Sequence, residues 1–519
     1  MEKMKRNILS IAGRFSILLM ASVAITAQLS AQEVFYSEPQ RDELKATNFE
    51  IIGQYNNETL IFKNIRNKSY VSAYDNQMKL VRDVPLEFMP SQVLEATVLA
   101  YPNSSYLFYQ FGERGVVSEM VVKLDDKGNA LTKPIELDTT FARNAKSKIY
   151  SILRSEDKSK ILVFKINSKD EANLQFKTML FDSSLNLLHT SNFIMSMPDR
   201  NDFLTDFYLD NEGNFVFGQG KRRGAQENIS KFFLVVKPAH QDTLGLSELM
   251  FDRISLDEVK LRMDNFNNRY LFTGFYYEGR RPGIVGISNA IYDKKTQSWS
   301  SQNIIPLTGQ FREDARGDNN TKNAFNDYFI RDIVIRSDGA FLVTAEALYE
   351  SNRGNNFNRW DYFGSPFYNP FNPYWGGMYG GYPGMWGSPW GWNNWGGNRS
   401  TRYHADNVIA AAFDPDGKVL WTNTMRKSQY DDDADTYVSY NMIVTSEGLR
   451  FIYNDYAKRE IVLAYQTLTP EGQVVRNPTM RNLDRGYTFI PRYAKQVSAR
   501  AVIIPCLYRN YLCFSKVEF

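Results

Sequence analysis

Cysteine and histidine are almost missing from this chain, which holds two of the first and three of the second in 519 residues. His189, His240 and His404 lie far apart, so neither a histidine-rich metal centre nor a Cys–His nucleophile has a basis in the sequence. No apolar run beyond residue 31 is long enough to cross a bilayer. Excess charge of one sign is also absent. Residues 1–31 carry Lys3, Lys5, Arg6 and Arg14 against Glu2, which equals the +3 of the whole chain, so the remainder is close to neutral. That disfavours a nucleic-acid-binding protein.

Residues 1–31 read as a secretory signal peptide. A charged start precedes an apolar run from Phe15 to Ile25, broken only by Ser16 and Ser22, and small residues follow at Ala27 and Ala31. Cleavage is expected after Ala31, with Ala24 and Ala27 as alternatives. No cysteine stands near that site for a lipid anchor. The expected mature protein is exported: periplasmic, associated with an outer membrane, or extracellular.

A strand pattern fills the rest. In residues 203–250, Phe203 to Leu209 alternates and ends at Asp210-Asn211-Glu212-Gly213, and Asn214 to Gly218 returns. Lys221-Arg222-Arg223-Gly224 then opens a longer connection, followed by strands over Ser230 to Lys237 and Leu244 to Phe251. Similar units begin near Phe49, Leu94, Ile149, Leu256, Tyr328, Val438 and Phe489. Four-stranded units repeating every ~45–55 residues are the mark of a β-propeller. The expected fold is all-β, with residues 32–519 forming one propeller of eight blades, or alternatively seven. Glu33 to Pro39 would supply the fourth strand of the last unit and close the ring, removing an exposed sheet edge.

The hairpin Phe413-Asp414-Pro415-Asp416-Gly417-Lys418-Val419-Leu420-Trp421 resembles the blade hairpin of quinoprotein-type propellers, in which Trp follows a Gly-Lys-Val-Leu run. The resemblance covers this hairpin alone. It implies the fold and no quinone chemistry, and no cofactor or metal is expected. Asp431-Asp432-Asp433-Ala434-Asp435 lacks calcium-loop spacing. Arg316-Gly317-Asp318 is too short a match to carry a role.

Two features point to binding. Every turn after a second strand carries a base: Arg66 with Lys68, Arg114, Lys169, Arg222 with Arg223, Arg280 with Arg281, Arg353, Lys458 with Arg459, and Arg509. Alternating strand direction puts these turns on one face. Acids gather in the turns between third and fourth strands, where Asp-Gly is ordinary turn chemistry. The sixth unit also holds an insertion over residues 351–403, rich in Trp, Tyr, Phe, Gly, Pro and Asn. It contains Trp360, Trp375, Trp386, Trp390, Trp392 and Trp395, six of the chain's eight tryptophans, and emerges on the basic face. Such a segment can cap the rim, anchor a glycan or protein, or rest in a membrane interface.

The expectation is a non-enzymatic binding or scaffolding module of the bacterial cell envelope. Arg114, Arg222, Arg223, Arg280, Arg281, Arg353 and the six insertion tryptophans would form the binding face for a protein or glycan. The alternative is a polysaccharide-active hydrolase or lyase at the channel mouth, for which no spacing of acids singles out a pair. In the last hairpin, a tip at Arg509-Asn510 pairs Cys506 with Cys513. The two then form either a disulfide or a pair of buried thiols, structural in both cases.

Overall fold

The computed structural model describes residues 33–40, 47–142, 148–170, 173–197, 202–222, 228–279, 283–316, 324–351, 402–432, 436–457, 460–477 and 486–519. Residues 1–31, where a signal peptide is expected, and nearly all of the aromatic insertion lie outside them. The described chain is all-β and propeller-like, in seven antiparallel sheets. The largest holds two four-strand meanders, joined through a single pairing of Ile229 with Leu256.

Successive meanders begin with the strands Thr47–Tyr55, Glu95–Tyr101, Tyr150–Arg154, Phe203–Leu209, Ile254–Asp264, Tyr328–Ile335 and Tyr440–Thr445. The last sheet opens with the short strands Tyr487–Phe489 and Lys495–Ser498, both paired with Ala501–Tyr508. These starts fall where alternation and turn residues place them. In the last sheet Glu33–Tyr36 pairs with Tyr511–Glu518, joining the two ends of the described chain. Cys506 faces Cys513 in that hairpin, with their sulfurs 2.9 Å apart as thiols and both buried.

First strands are apolar and buried while fourth strands are largely exposed, as in Leu80–Pro85 and Ile135–Phe141. Neighbouring meanders pack face to face through apolar clusters, such as Phe164 and Phe176 against Phe207, Phe215 and Phe217. Apart from the Ile229–Leu256 pairing, the first strands of these meanders have no ladder partner on the side facing the preceding meander, and buried backbone groups must find one. Side chains of the preceding meander supply it. The Glu50 carboxylate accepts the Val98 N–H at 2.9 Å, Asp206 accepts that of Leu261 at 2.8 Å, and Glu258 that of Ile330 at 3.1 Å. Between the last sheet and the first, Lys495 donates to the carbonyls of Ile51 and Ile52.

The acidic turns are spent on their own backbone. Asp75, Asp125, Asp182 and Asp414 each accept two N–H groups within four residues. The hairpin that resembles the quinoprotein type also docks sideways. Trp421 covers Gly472 in the next meander and donates to the Pro470 carbonyl at 3.3 Å.

Candidate functional site

The tips joining second to third strands show why their arginines stand out. Arg66-Asn67, Arg114-Gly115 and Arg509-Asn510 all have positive φ at both residues, between 49° and 80°. This is the tight hairpin geometry that matches strand twist, and it favours Asn or Gly. Arginine gains nothing there and carries a steric cost of about 1 kcal/mol. Arg114 is almost fully exposed and pairs with the neighbouring Glu113 at 3.6 Å.

Arg222 departs from the expected pattern. It ends the strand Phe215–Arg222 instead of standing in the turn, and its guanidinium lies 4.6 Å over the Phe203 ring. The second strand runs four residues further than its apolar alternation implied, because Lys221 and Arg222 pair with Lys231 and Ile229. Arg223, Arg280, Arg281, Arg353 and the tryptophans Trp360, Trp375, Trp386, Trp390, Trp392 and Trp395 lie outside the described residues.

At the root of the insertion the structure assembles a group that the sequence reading missed. The strands Phe341–Ser351 and Arg402–Phe413 flank the insertion, and Tyr430–Asp432 pairs with the start of the second. Tyr349, His404 and Tyr430 therefore form one cross-strand row. The His404 ring stacks on Tyr349 at 4.4 Å and 7°, and lies 6.3 Å from Tyr430. Tyr430 stacks on Tyr456, which comes from the next meander, at 5.3 Å and 15°. The Arg402 guanidinium lies over Tyr430 at 4.5 Å while its fork binds both oxygens of Asp432, at 2.7 and 3.0 Å.

Tyr430 and Tyr456 are each 42% exposed, so the ladder shows aromatic surface to solvent. It is held rigidly. Tyr456 donates its hydroxyl to the Tyr430 carbonyl and Tyr349 donates to Asp406, both at 2.8 Å. Burial lowers the His404 pKa even though Asp406 opposes it, so the imidazole is neutral at physiological pH. Two stacked ring pairs edged by an arginine can stack on a sugar ring or anchor a protein side chain. One signal was available in the sequence: Arg402-Tyr403-His404 re-enters a strand directly after the insertion.

Buried charge is concentrated between sheets. Across the second sheet Glu95, Gln110, Glu119 and Asp138 stand opposite one another in one row. The third sheet answers with Tyr150, Lys165 and Lys177 in one row. Asp138 lies 2.7 Å from both lysines. Burial pushes its pKa up, but hydrogen bonds from Lys165 and Lys177 win and hold it below the usual carboxylate range. Burial pushes Glu95 up to about 7, partly offset by Lys148 at 3.7 Å, and raises Glu119 well above its ordinary value. Among the described residues, no group of three or more His, Cys, Asp or Glu side chains is arranged to hold a metal.

No family model matches the chain, and no curated protein matches it. Solved structures with propeller-like folds do. A prolyl endopeptidase is 8% identical over 90% of this chain and 55% of its own, with a TM-score of 0.40. A polysaccharide lyase is 8% identical over 81% and 89%, with a TM-score of 0.38. A hypothetical selenium-binding protein of Sulfolobus tokodaii is 10% identical over 74% and 82%, with a TM-score of 0.35. The chain spans about half the length of the endopeptidase. These likenesses carry no functional argument.

Proposed function

We propose that this chain is an exported, non-enzymatic binding or scaffolding β-propeller of eight blades, closed by its N-terminal strand and acting at the bacterial cell envelope. It recognises a protein or glycan through the face that bears the arginine tips, the aromatic insertion and the ladder at its root. The ladder carries this reading: Tyr349 stacks on His404 and Tyr430 on Tyr456, the two pairs meet at a tilt across 6.3 Å with Arg402 alongside, and two of the tyrosines are open to solvent. Aromatic anchors supply contact area at low entropy cost and the arginines orient the partner. Peripheral membrane contact through the insertion belongs to the same reading, and no nucleic acid is involved.

Co-sedimentation with membranes, cell-wall material and surface polysaccharide tests it. The comparison is between the parent, a form with residues 355–400 replaced by a Gly-Ser linker, and the Tyr430→Ala/Tyr456→Ala double variant. The parent is expected to bind one fraction and both altered forms to lose it. Equal binding by all three, with the fold retained, would remove the face from consideration.

A polysaccharide hydrolase or lyase is the second reading. The observation behind it is Glu95, a carboxyl on a first strand brought to about 7. Its 5% exposure and its lysine neighbour favour a role in packing. Turnover of envelope polysaccharide that Glu95→Gln abolishes would establish the enzyme instead.

A further inference from the structure

Lys63 is a buried cation. It sits in the middle of the strand Glu58–Ile65, in register with Phe49 and Tyr70, and is 2% exposed. Its ammonium donates to the Tyr74 hydroxyl and lies 4.8 Å from the Tyr74 ring and 5.7 Å from the Phe514 ring. Among the described residues it has no ion-pair partner. The Asp83 carboxylate attracts it from beyond contact distance and accepts the Ser72 hydroxyl at 2.5 Å. Stripping water from an ammonium is costly unless an anion answers it.

The space for that anion is present. Lys63 lines a cavity of about 400 Å³ together with Gln40, Arg66, Lys68, Tyr70, Ser72 and Asp83. One wall is the first sheet. The other includes the segment at Gln40, whose N–H is tied to the Leu512 carbonyl of the last sheet at 2.8 Å. Arg66 and Lys68 are exposed at the hairpin tip, so positive charge runs from the mouth to the floor. Asp83 on the lining opposes a doubly charged ligand. Gln40, Tyr70 and Ser72 are neutral groups suited to hydroxyls.

We propose that this cavity binds the carboxylate of a small acidic sugar, with Lys63 as the inner anchor and Arg66 and Lys68 at the mouth. The volume falls in the range of small-molecule sites. The site stands in a different sheet from the aromatic ladder and does not depend on it. Burial lowers the Lys63 pKa to about 8, so near that pH an arriving carboxylate draws a proton onto the amine.

Calorimetric titration of the mature protein with glucuronate, galacturonate, glucose and inorganic phosphate tests the assignment. Either uronate is expected to bind at least about tenfold more tightly than glucose, a difference of about 1.4 kcal/mol. Binding at pH 8 to 9 should take up protons, read from the dependence of the heat on buffer ionisation enthalpy. The Arg66→Ala/Lys68→Ala variant, altered only at an exposed tip, should bind roughly fivefold more weakly, and Lys63→Met should not bind. Glucose binding as well as the uronates, phosphate binding more tightly, no proton uptake, or an unchanged tip variant would each overturn the proposal. The tip variant and the proton count keep it testable if Lys63→Met fails to fold.

Discussion

The Lys427 ammonium lies 2.7 Å from a carboxylate oxygen of Glu346, and both side chains are shut off from solvent, at 2% and 0% exposure. Lys427 also donates to the Ala405 carbonyl and the Gln429 side chain, each at 2.7 Å, so the pair ties the sixth meander to the link that follows it. Lys427→Met should leave the buried Glu346 carboxylate with the Ser439 hydroxyl and the more distant Arg331, at 3.7 Å, and cost about 3 kcal/mol. The double change Glu346→Leu/Lys427→Met should recover most of the loss. Chemical denaturation of the two variants measures both, and equal losses would show that the second change restores nothing.

The arginine tips set binding against stability. Arg114 and Arg509 hold left-handed backbone that suits Asn or Gly. Arg114→Asn or Arg509→Gly should raise stability by about 0.5–1 kcal/mol. The same changes should weaken retention on the envelope fraction that the parent binds. A variant more stable and equally retentive would separate the tips from recognition.

At the ladder, Arg402 works through its plane as well as its charge. It stacks on Tyr430 and grips both oxygens of Asp432. Arg402→Lys keeps the charge and loses the fork and the stack, so it should weaken partner binding about as much as Arg402→Ala. Co-sedimentation of the two variants decides this, and parent-like binding by Arg402→Lys would reduce the contribution to charge alone.

Glu95 makes stability fall with pH. Its carboxyl has an ordinary value of 4.5 and is brought to about 7 by burial. Between those values the folded chain keeps a proton that the unfolded chain has released. The contribution is therefore full below pH 4.5 and lost as pH rises through about 7. At 1.36 kcal/mol per unit the loss is about 3 kcal/mol. Urea midpoints from pH 4.5 to 8.5 should fall more steeply for the parent than for Glu95→Gln. Parallel curves would contradict the shift.

Cys506 and Cys513 should be found joined in protein recovered from an oxidising compartment. Intact mass would be two hydrogens lighter than the reduced chain, with no thiol titrating after denaturation. The bond closes a short hairpin loop and should add about 2–3 kcal/mol. Two free thiols in that protein would leave them as packing residues.

The repeats could be read because local alternation and Asp or Gly turns mark each strand without reference to its neighbours. The cysteine register followed from one hairpin tip for the same reason. Facing rows such as Glu95–Gln110–Glu119–Asp138 against Tyr150–Lys165–Lys177 could not be read. They need registers across several strands and the juxtaposition of two sheets, which no local pattern encodes. The ladder failed for that reason too, since Tyr349 and His404 meet only once the intervening insertion is looped out. Arg222 was misplaced because strand pairing outran apolar alternation.

The pairing of Glu33–Tyr36 with Tyr511–Glu518 also sets a timetable. The Ser37 hydroxyl and the Phe514 N–H, 477 positions apart, meet only once Phe514 has been made. During synthesis, strands near the start can form hairpins at once, but Glu33–Tyr36 must wait for Tyr511–Glu518. Contacts of such separation form slowly. The growing chain therefore travels with Glu33–Tyr36 unpaired, and a chain cut short before Tyr511 would carry that open edge permanently, as a marker by which quality control could recognise it.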